Sequence, residues 1–306
     1  MPKHEPNRRV FMGTVGLGAA ALSLGGVPRS TEAHGEPRPE EKSATMKLGM
    51  VTYLMGKDMD CPELIRFCTE TGLEGVELRA THAHGVELPL SKAERAEVRK
   101  QFDDSPIEIA GLGSAYEFQD KDPAVVRQNV EDAKAYAQLA ADVGAPGIKV
   151  RPNRLFEDED HDVTCARIGK AWGEVAAFAD GLGIAVRMEV HGGGGSSDPK
   201  NIRKMLDHAN HPNAKVCWNS NPGEQDEHGS IQANFDLLKH AIGHVHITDI
   251  GVYQYPWQDL FTLLKGIDYG GYCLAEIQYN PEPERFMKYY RTLFDLYTGN
   301  YQYPRA

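Results

Sequence analysis

AVRMEVHG, residues 185–192, is a strand-like run with a metal-capable side chain, Glu189, near its end. Three later runs have the same form and carry Asn219, His246 and Glu276: KVCWNSNP (215–222), GHVHITD (243–249) and GYCLAEIQ (271–278). The four side chains are 30, 27 and 30 residues apart, about one strand plus one helix each time. In a barrel of parallel strands the strand ends meet at one rim, so these groups would converge. Two carboxylates, an imidazole and an amide oxygen at one point predict a divalent-metal site.

Strand-like and helical segments alternate from residue 47 to residue 298, with eight of each. Strands are predicted at 47–53, 75–80, 108–115, 146–152, 184–191, 214–220, 244–250 and 271–278. Helices are predicted at 61–72, 91–102, 122–144, 162–181, 198–209, 230–242, 257–267 and 283–298. This alternation predicts a (β/α)8 TIM barrel over residues 46–300. The rival is an open doubly wound sheet, which would usually have a glycine-rich phosphate loop after strand one, where the chain has TYLMGKDMD (52–60).

Composition argues against several classes of protein. The 306 residues carry a formal charge of −11, which disfavours a nucleic-acid partner. Apolar residues make up 41%, enough for a large core, yet no apolar run approaches the ~20 residues that span a bilayer. Five scattered cysteines without a CxxC pair do not support a disulfide framework. The sequence leaves open whether the chain forms a homo-oligomer.

Residues 1–33 are predicted to be a twin-arginine signal peptide. Arg8 and Arg9 precede a weakly apolar stretch rich in glycine and alanine at 13–26, and Thr31-Glu32-Ala33 loosely fits a cleavage site. Residues 34–45 are polar and contain proline, as expected of a linker. These segments predict export of a folded protein to the periplasm, with no membrane span in the mature chain. A disordered basic tail is the alternative.

Alternation along the strands orients the candidate ligands. In strand five Arg187, Glu189 and His191 share one face, while Met188 and Val190 on the other face suit contact with helices. The polar set is therefore predicted to point into the barrel near its top. A buried carboxylate without a partner is strongly disfavoured, so the cluster needs either a cation or a hydrogen-bonded polar plug.

The chain resembles the xylose isomerase-like TIM barrels in four motifs: GVELR (75–79), MEVHG (188–192), HVHITD (244–249) and LAEIQ (274–278). That superfamily includes sugar phosphate isomerases and epimerases as well as inosose dehydratases, and the resemblance runs from about residue 47 to residue 298. It implies that His191 contacts substrate and that the metal ligands are Glu189, Asn219, His246 and Glu276. The family commonly has aspartate at the strand-six position and histidine three residues later, where this chain has Asn219 and Pro222.

Such a site suits Mn²⁺, Mg²⁺ or Co²⁺, with Zn²⁺ as a further candidate. The cation would hold a sugar or keto-sugar through adjacent carbonyl and hydroxyl oxygens. It would also stabilise the enediolate formed when the neighbouring C–H loses its proton. Glu189 and Glu276 would be the catalytic pair, one removing the proton and the other returning a proton to the opposite face. This predicts a sugar isomerase or epimerase.

Three alternatives stay open at the level of the sequence. The same enediolate with a leaving group on the next carbon gives elimination, as in a lyase or dehydratase acting on a keto-sugar or keto-glycoside. A non-catalytic carbohydrate-binding barrel would keep sugar affinity without turnover. A DNA-repair endonuclease on this fold would favour a basic face, which the charge of −11 opposes.

Further side chains near the strand ends are predicted to bind substrate: His82, His84, Lys149, Arg151 and Trp257. The histidines lie in THAHG (81–85), and their alternative is a solvated loop. The two cations share a face of strand four and could bind a carboxylate or phosphate; the alternative is an internal ion pair with Glu77 or Glu189. The tryptophan would stack on a sugar. Arg187 is predicted to pair with Glu77, and GGGGSSD (192–198) to form a mobile lid.

Overall fold

The structure is a computed structural model that describes residues 44–251 and 254–302. Within these residues eight parallel strands form one closed sheet, in chain order from β1 to β8, and each strand is followed by an α-helix. The prediction of a (β/α)8 barrel is therefore confirmed. The predicted signal peptide and nearly all of the predicted linker lie outside the described residues, so both stay predictions, as does export to the periplasm.

The strands are β1 (Lys47–Val51), β2 (Gly75–Arg79), β3 (Glu108–Glu117), β4 (Gly147–Arg151), β5 (Ala185–Glu189), β6 (Ala214–Trp218), β7 (Ile242–Ile247) and β8 (Tyr272–Ala275). The helices are α1 (Cys61–Thr71), α2 (Lys92–Asp103), α3 (Pro123–Val143), α4 (His161–Asp180), α5 (Pro199–Ala209), α6 (Gln232–Leu238), α7 (Trp257–Gly266) and α8 (Pro283–Thr298). None of the helices in the described part of the chain is long and apolar enough to cross a membrane. Strands β5 to β8 end earlier than predicted, so the candidate ligands lie at the strand ends or just beyond them.

Capping residues in the sequence set where the helices begin and end. Before α1, the side chain of Asp60 accepts a hydrogen bond from the N–H of Glu63, and the Glu63 carboxylate accepts one from the N–H of Asp60. Gly72 ends α1 with φ at 75°, a left-handed conformation that costs glycine little because it has no Cβ. An N-cap of this kind stabilises a helix by about 1 kcal/mol. These local signals therefore fix the residues at which the helix begins and ends.

The main apolar core lies between the sheet and the helices. In β5 the side chains of Val186 and Met188 are fully buried in this layer, as the alternation predicts. Trp172 of α4 packs in the same layer and donates its Nε1–H to the carbonyl oxygen of Val186 at 3.1 Å. Burial of each apolar side chain on this face stabilises the barrel by about 1.5–3 kcal/mol. The fold therefore does not require apolar side chains on the opposite, inner face of the strands, which can carry polar groups.

The inside of the barrel carries charged and polar side chains that are almost fully buried: Glu77, Lys149, Arg187, Glu189, His244 and His246. The predicted ion pair between Arg187 and Glu77 is absent among the described residues. The Arg187 guanidinium instead donates to the carbonyl oxygen of Ala110 at 3.1 Å, and Glu77 lies beside His246. A Cβ at Gly147 would lie 2.7 Å from the guanidinium carbon of Arg187, so glycine there makes the space for this side chain.

Candidate functional site

Three side chains from separate strands converge at the upper rim of the barrel. Glu189 is the last residue of β5, His246 lies one residue before the end of β7, and Glu276 directly follows β8. Each offers one ligand atom, and these atoms all lie within 4.8 Å of one another. Nδ1 of His246 is 3.4 Å from Oε1 of Glu189 and 3.7 Å from Oε2 of Glu276. The structure thus brings together three of the four predicted ligands around one point.

The imidazole of His246 is oriented as a metal ligand would be. Its Nε2 lies 3.4 Å from Oε2 of Glu77, whereas its Nδ1 is buried and has no hydrogen-bond partner in the described structure. With Nε2–H directed at Glu77, Nδ1 points between the two carboxylates. Burial lowers the pKa of His246, but Cys217, Glu77 and Glu189 outweigh burial and hold that pKa well above its usual range, so a bound cation would replace the proton on Nδ1. A histidine ligand usually donates its second N–H to a carboxylate or carbonyl in this way. Two carboxylates and one imidazole fit a divalent cation.

Two buried carboxylates, Glu189 and Glu77, are held in the ionised form. Burial raises the pKa of Glu189, but Lys149 and His246 outweigh burial and hold its pKa well below the usual range. Lys149 supplies the shortest contact, with Nζ 2.6 Å from Oε2 of Glu189. Burial also raises the pKa of Glu77, and His246, His244 and Lys149 together lower it to about 2. Ionised, closely spaced carboxylates are the form that a cation binds.

Asn219, the fourth predicted ligand, lies one residue beyond β6 and contacts Glu189. Its amide nitrogen donates to Oε1 of Glu189 at 3.2 Å, and its Oδ1 accepts from the N–H of Ser220 at 3.0 Å. An amide nitrogen is not a metal ligand, so in this orientation Asn219 positions Glu189. Its role as a ligand stays a prediction that requires the amide to turn over.

A cavity of about 250 Å³ opens above these groups. Six of the predicted site residues line it: Lys149, Arg151, Glu189, His191, Asn219 and Glu276. The ammonium of Lys149 is already paired with Glu189, which was one of the two alternatives for this residue, and Nη2 of Arg151 lies 3.2 Å from Oε1 of Glu117. The volume is that of a small molecule, and the lining is mostly polar.

Three predicted substrate-binding residues do not reach this lining. His84 is buried. Its two ring nitrogens bind backbone groups, the carbonyl of Arg79 (2.8 Å) and the N–H of Val86 (3.0 Å). His82 is half-buried, with Nδ1 3.2 Å from Oγ1 of Thr52. Trp257 is the first residue of α7 and packs in the core, with its ring 4.8 Å from that of Tyr255. None of the three lines the cavity in the described structure, so their role in substrate binding stays a prediction.

Six further residues line the cavity that the sequence did not single out as site residues: Tyr53, Arg79, Asn221, Thr248, Asp249 and Gln278. The signal that could have found Arg79 is its position two residues after Glu77 in β2, which places both side chains on the inner face. Tyr53 follows β1 by two residues and lies on the same rim. In this part of the sequence only the histidines of the loop after strand two were predicted to lie at this rim, so the contributions of Tyr53 and Arg79 were missed.

The glycine-rich segment 192–198, predicted to be a mobile lid, is tied to the loop after β4. The N–H of Gly193 donates to the carbonyl of Asn153 at 2.9 Å, and the carbonyl of Gly193 accepts from the N–H of Leu155 at 3.3 Å. Oγ of the buried Ser196 donates to the carbonyl of His191 at 2.9 Å. These bonds hold the segment as a wall beside His191.

A buried carboxyl group, Glu224, supports the loop that follows β6. Its Oε2 accepts hydrogen bonds from the hydroxyl of Tyr255 at 2.8 Å and from the N–H of Asn221 at 3.2 Å. The same hydroxyl accepts from Nε1–H of Trp218 at 3.0 Å. Burial raises the pKa of Glu224 well above its usual range, and these hydrogen bonds do not offset it. The group is therefore protonated in the folded protein under mildly acidic conditions where a free glutamate is ionised.

Glu224 should make the free energy of unfolding depend on pH, and Glu224→Gln should remove that dependence. Below the pKa of about 4.3 in the unfolded chain, both states bind the proton. As the pH rises above it, only the unfolded chain ionises, so stability falls by up to about 1.4 kcal/mol per pH unit until the folded pKa is reached. In urea unfolding between pH 4 and 8, the free energy of unfolding of Glu224→Gln should rise relative to that of the parent as the pH increases. A pH-independent difference would contradict this.

Comparison with known proteins places the chain among barrels of one type. The family described as xylose isomerase-like TIM barrel matches residues 65–291. Among curated proteins, none matches the sequence.

Three solved structures share the fold over most of their length. The 3-keto-D-glucoside 4-epimerase from E. coli has 16% identity and a TM-score of 0.67, covering 81% of this chain and 100% of its own. L-ribulose 3-epimerase has 14% identity and a TM-score of 0.71, covering 83% and 95%. The IolI protein with a bound zinc atom has 15% identity and a TM-score of 0.68, covering 84% and 99%. At these identities the likeness establishes the fold and leaves the activity to the site.

Proposed function

Since the chain belongs to the xylose isomerase-like TIM barrel family, we propose that it is a divalent-metal-dependent isomerase or epimerase of a keto-sugar. The observation that carries the proposal is the convergence of Glu189, His246 and Glu276 on one point below a cavity of about 250 Å³. A cavity of that size suits a single sugar unit. The structural neighbours, which are described as sugar epimerases, support the same class.

Glu189, His246 and Glu276 would hold the cation, with Asn219 as a fourth candidate. Mn²⁺, Mg²⁺ and Co²⁺ suit this oxygen-rich set best, and Zn²⁺, which is bound in the IolI protein, is a further candidate. A divalent cation there supplies a Lewis acid for neighbouring carbonyl and hydroxyl oxygens of a sugar.

The two carboxylates would move the proton. Glu189 is kept ionised by Lys149 at 2.6 Å and is almost fully buried, so it can accept a proton from a carbon seated above it. Glu276 enters from β8, on the other side of His246, and its side chain is 17% exposed. A sugar lying between them would lose a proton from one face to Glu189 and gain, on the other face, a proton that Glu276 has taken up from solvent. That exchange inverts the carbon next to the carbonyl and gives epimerisation.

Deuterium incorporation from solvent into a sugar tests this proposal. The same measurement, made before and after the metal is removed, shows whether the exchange depends on the metal. The full-length protein loaded with Mn²⁺ is incubated in D₂O with a panel containing D-fructose, D-psicose and a methyl 3-keto-glucoside. We expect NMR to show one deuterium at the carbon next to the carbonyl of at least one sugar, with its epimer appearing. EDTA should lower the rate at least about 100-fold, and Mn²⁺ should restore it.

The other two functions predict different spectra. Loss of the aglycone from the keto-glucoside without an epimer would identify a lyase. Sugar binding without deuterium incorporation, for each of Mn²⁺, Mg²⁺, Co²⁺ and Zn²⁺, would identify a carbohydrate-binding barrel and refute catalysis.

A further inference from the structure

Arg79 stands on the wall of the cavity at the end of β2. It is half-buried, and alternation from the inward-facing Glu77 directs its side chain to the same interior. The guanidinium carbon lies 5.0 Å from the centre of the Tyr53 ring, which also lines the cavity. This stacking restricts the orientation of the guanidinium before any ligand arrives.

Arg79 differs from the other cations of the cavity in having no carboxylate partner among the described residues. Lys149 is paired with Glu189 at 2.6 Å, and Arg151 is paired with Glu117 at 3.2 Å. A guanidinium that is partly removed from water favours an anion, because its lost hydration is then replaced by charge-assisted hydrogen bonds. The unpaired charge is thus available to a ligand in the cavity.

The backbone of Arg79 is fixed on both sides. Its N–H donates to Oγ1 of Thr52 at 2.8 Å, and its carbonyl accepts from Nε2–H of His84 at 2.8 Å. Nδ1 of His84 accepts in turn from the N–H of Val86 at 3.0 Å, so the imidazole bridges the turn after β2. His84, which does not line the cavity, therefore acts as a positioning residue for Arg79.

We propose that Arg79 binds the carboxylate of the substrate, and that the preferred substrates are keto-sugar acids rather than neutral keto-sugars. This deepens the proposed function and rests on it. The planar guanidinium presents two parallel N–H donors that match the two oxygens of a carboxylate. One arginine balances the single charge of a carboxylate, whereas a phosphate ester carries close to two charges at neutral pH.

Calorimetric titration of the full-length, Mn²⁺-loaded protein tests the preference with three probes that differ in one group. The probes are D-fructuronate, D-fructose and D-fructose 6-phosphate, which carry a carboxylate, a hydroxymethyl group and a phosphate ester at the same end of one sugar. We expect the keto acid to bind at least about 10-fold more tightly than D-fructose, because a hydrogen bond to a charged group has about that effect. Arg79→Met should weaken binding of the keto acid about 10- to 100-fold and leave D-fructose unchanged.

Two further variants keep the test decisive. Arg79→Lys retains the charge without the planar arrangement of two N–H donors, so it should recover part of the keto-acid affinity. Such a recovery would show that the weaker binding of Arg79→Met comes from the lost charge and not from a disturbed fold. Lys170→Met, which removes an exposed cation on α4, should alter none of the three affinities.

The outcomes separate this proposal from the proposed function. Equal binding of keto acid and D-fructose, or equal weakening of both by Arg79→Met, would overturn the role of Arg79 and leave the epimerase proposal standing. Stronger binding of D-fructose 6-phosphate than of the keto acid would replace the carboxylate by a phosphate ester and overturn the proposal as stated. Binding of none of the three would overturn both.

Discussion

His246→Ala is expected to weaken Mn²⁺ binding by at least about 100-fold and to abolish metal-supported proton exchange. Even the outer-sphere partners of metal ligands contribute about 10- to 100-fold to metal affinity, and His246 would be a direct ligand. Its Nδ1 is the only nitrogen among the three groups whose ligand atoms lie within 4.8 Å of one another in the described structure. Equilibrium dialysis of the full-length variant against Mn²⁺ measures the affinity without reference to turnover.

A loss of fold must be separated from a loss of the ligand. His246 is fully buried, and its removal leaves Glu77 with only the more distant imidazole of His244, at 3.8 Å, so Glu276→Gln, at a side chain that is 17% exposed, serves as a second variant. It should also lower metal affinity while keeping the melting temperature of the parent. His228→Ala, which removes a side chain that is 81% exposed, is the matched histidine control. Unchanged Mn²⁺ stoichiometry in both site variants would refute the assignment of the ligands.

Lys149→Met is expected to destabilise the metal-free protein by about 3–5 kcal/mol, the cost of leaving one partner of a buried ion pair uncompensated. The side chains of Lys149 and Glu189 are 4% and 2% exposed, and their Nζ and Oε2 atoms are 2.6 Å apart. Methionine is close to lysine in size, so the loss of charge dominates the effect. Chemical denaturation of protein treated with EDTA measures it.

Metal should partly rescue this variant, which links the stability of the barrel to the proposed site. A cation held by Glu189 and its neighbours would replace the missing positive charge, so Mn²⁺ should stabilise Lys149→Met more than it stabilises the parent. Lys47→Met provides the control, because Lys47 and Glu108 form an exposed pair whose side chains are 40% and 61% accessible. Such a pair contributes about 0–1 kcal/mol. A comparable loss in both variants, or equal stabilisation by Mn²⁺, would argue against this account.

The barrel and the convergence of three of the four proposed ligands could be predicted because both depend on local patterns. Alternating strands and helices, with capping residues such as Ser91 and Asp122, define eight repeating units. Closure of those units places every strand end at one rim, whatever the separation in sequence. Glu189, His246 and Glu276 followed from that single geometric fact.

Other parts of the site could not be predicted, because they depend on which inward side chains meet across the barrel. The pairing of Lys149 with Glu189 rather than Glu77 is decided by distances between strands, and so is the contact of Arg187 with the carbonyl of Ala110. His84 and Trp257 occur beside strand ends in the sequence, yet one bonds to the backbone and the other packs in the core.

The amino-acid sequence by itself determined the secondary structure, the number of units and the rim on which the polar groups gather. These follow from periodicities of two and 3.6 residues, which are properties of neighbouring residues along the chain. Only the tertiary structure decided that Nδ1 of His246 points between two carboxylates, that the Asn219 amide donates to Glu189, and that Arg79 has no carboxylate partner among the described residues. Hydrogen bonds and ion pairs act over about 3–4 Å, and only folding brings residues from different strands that close.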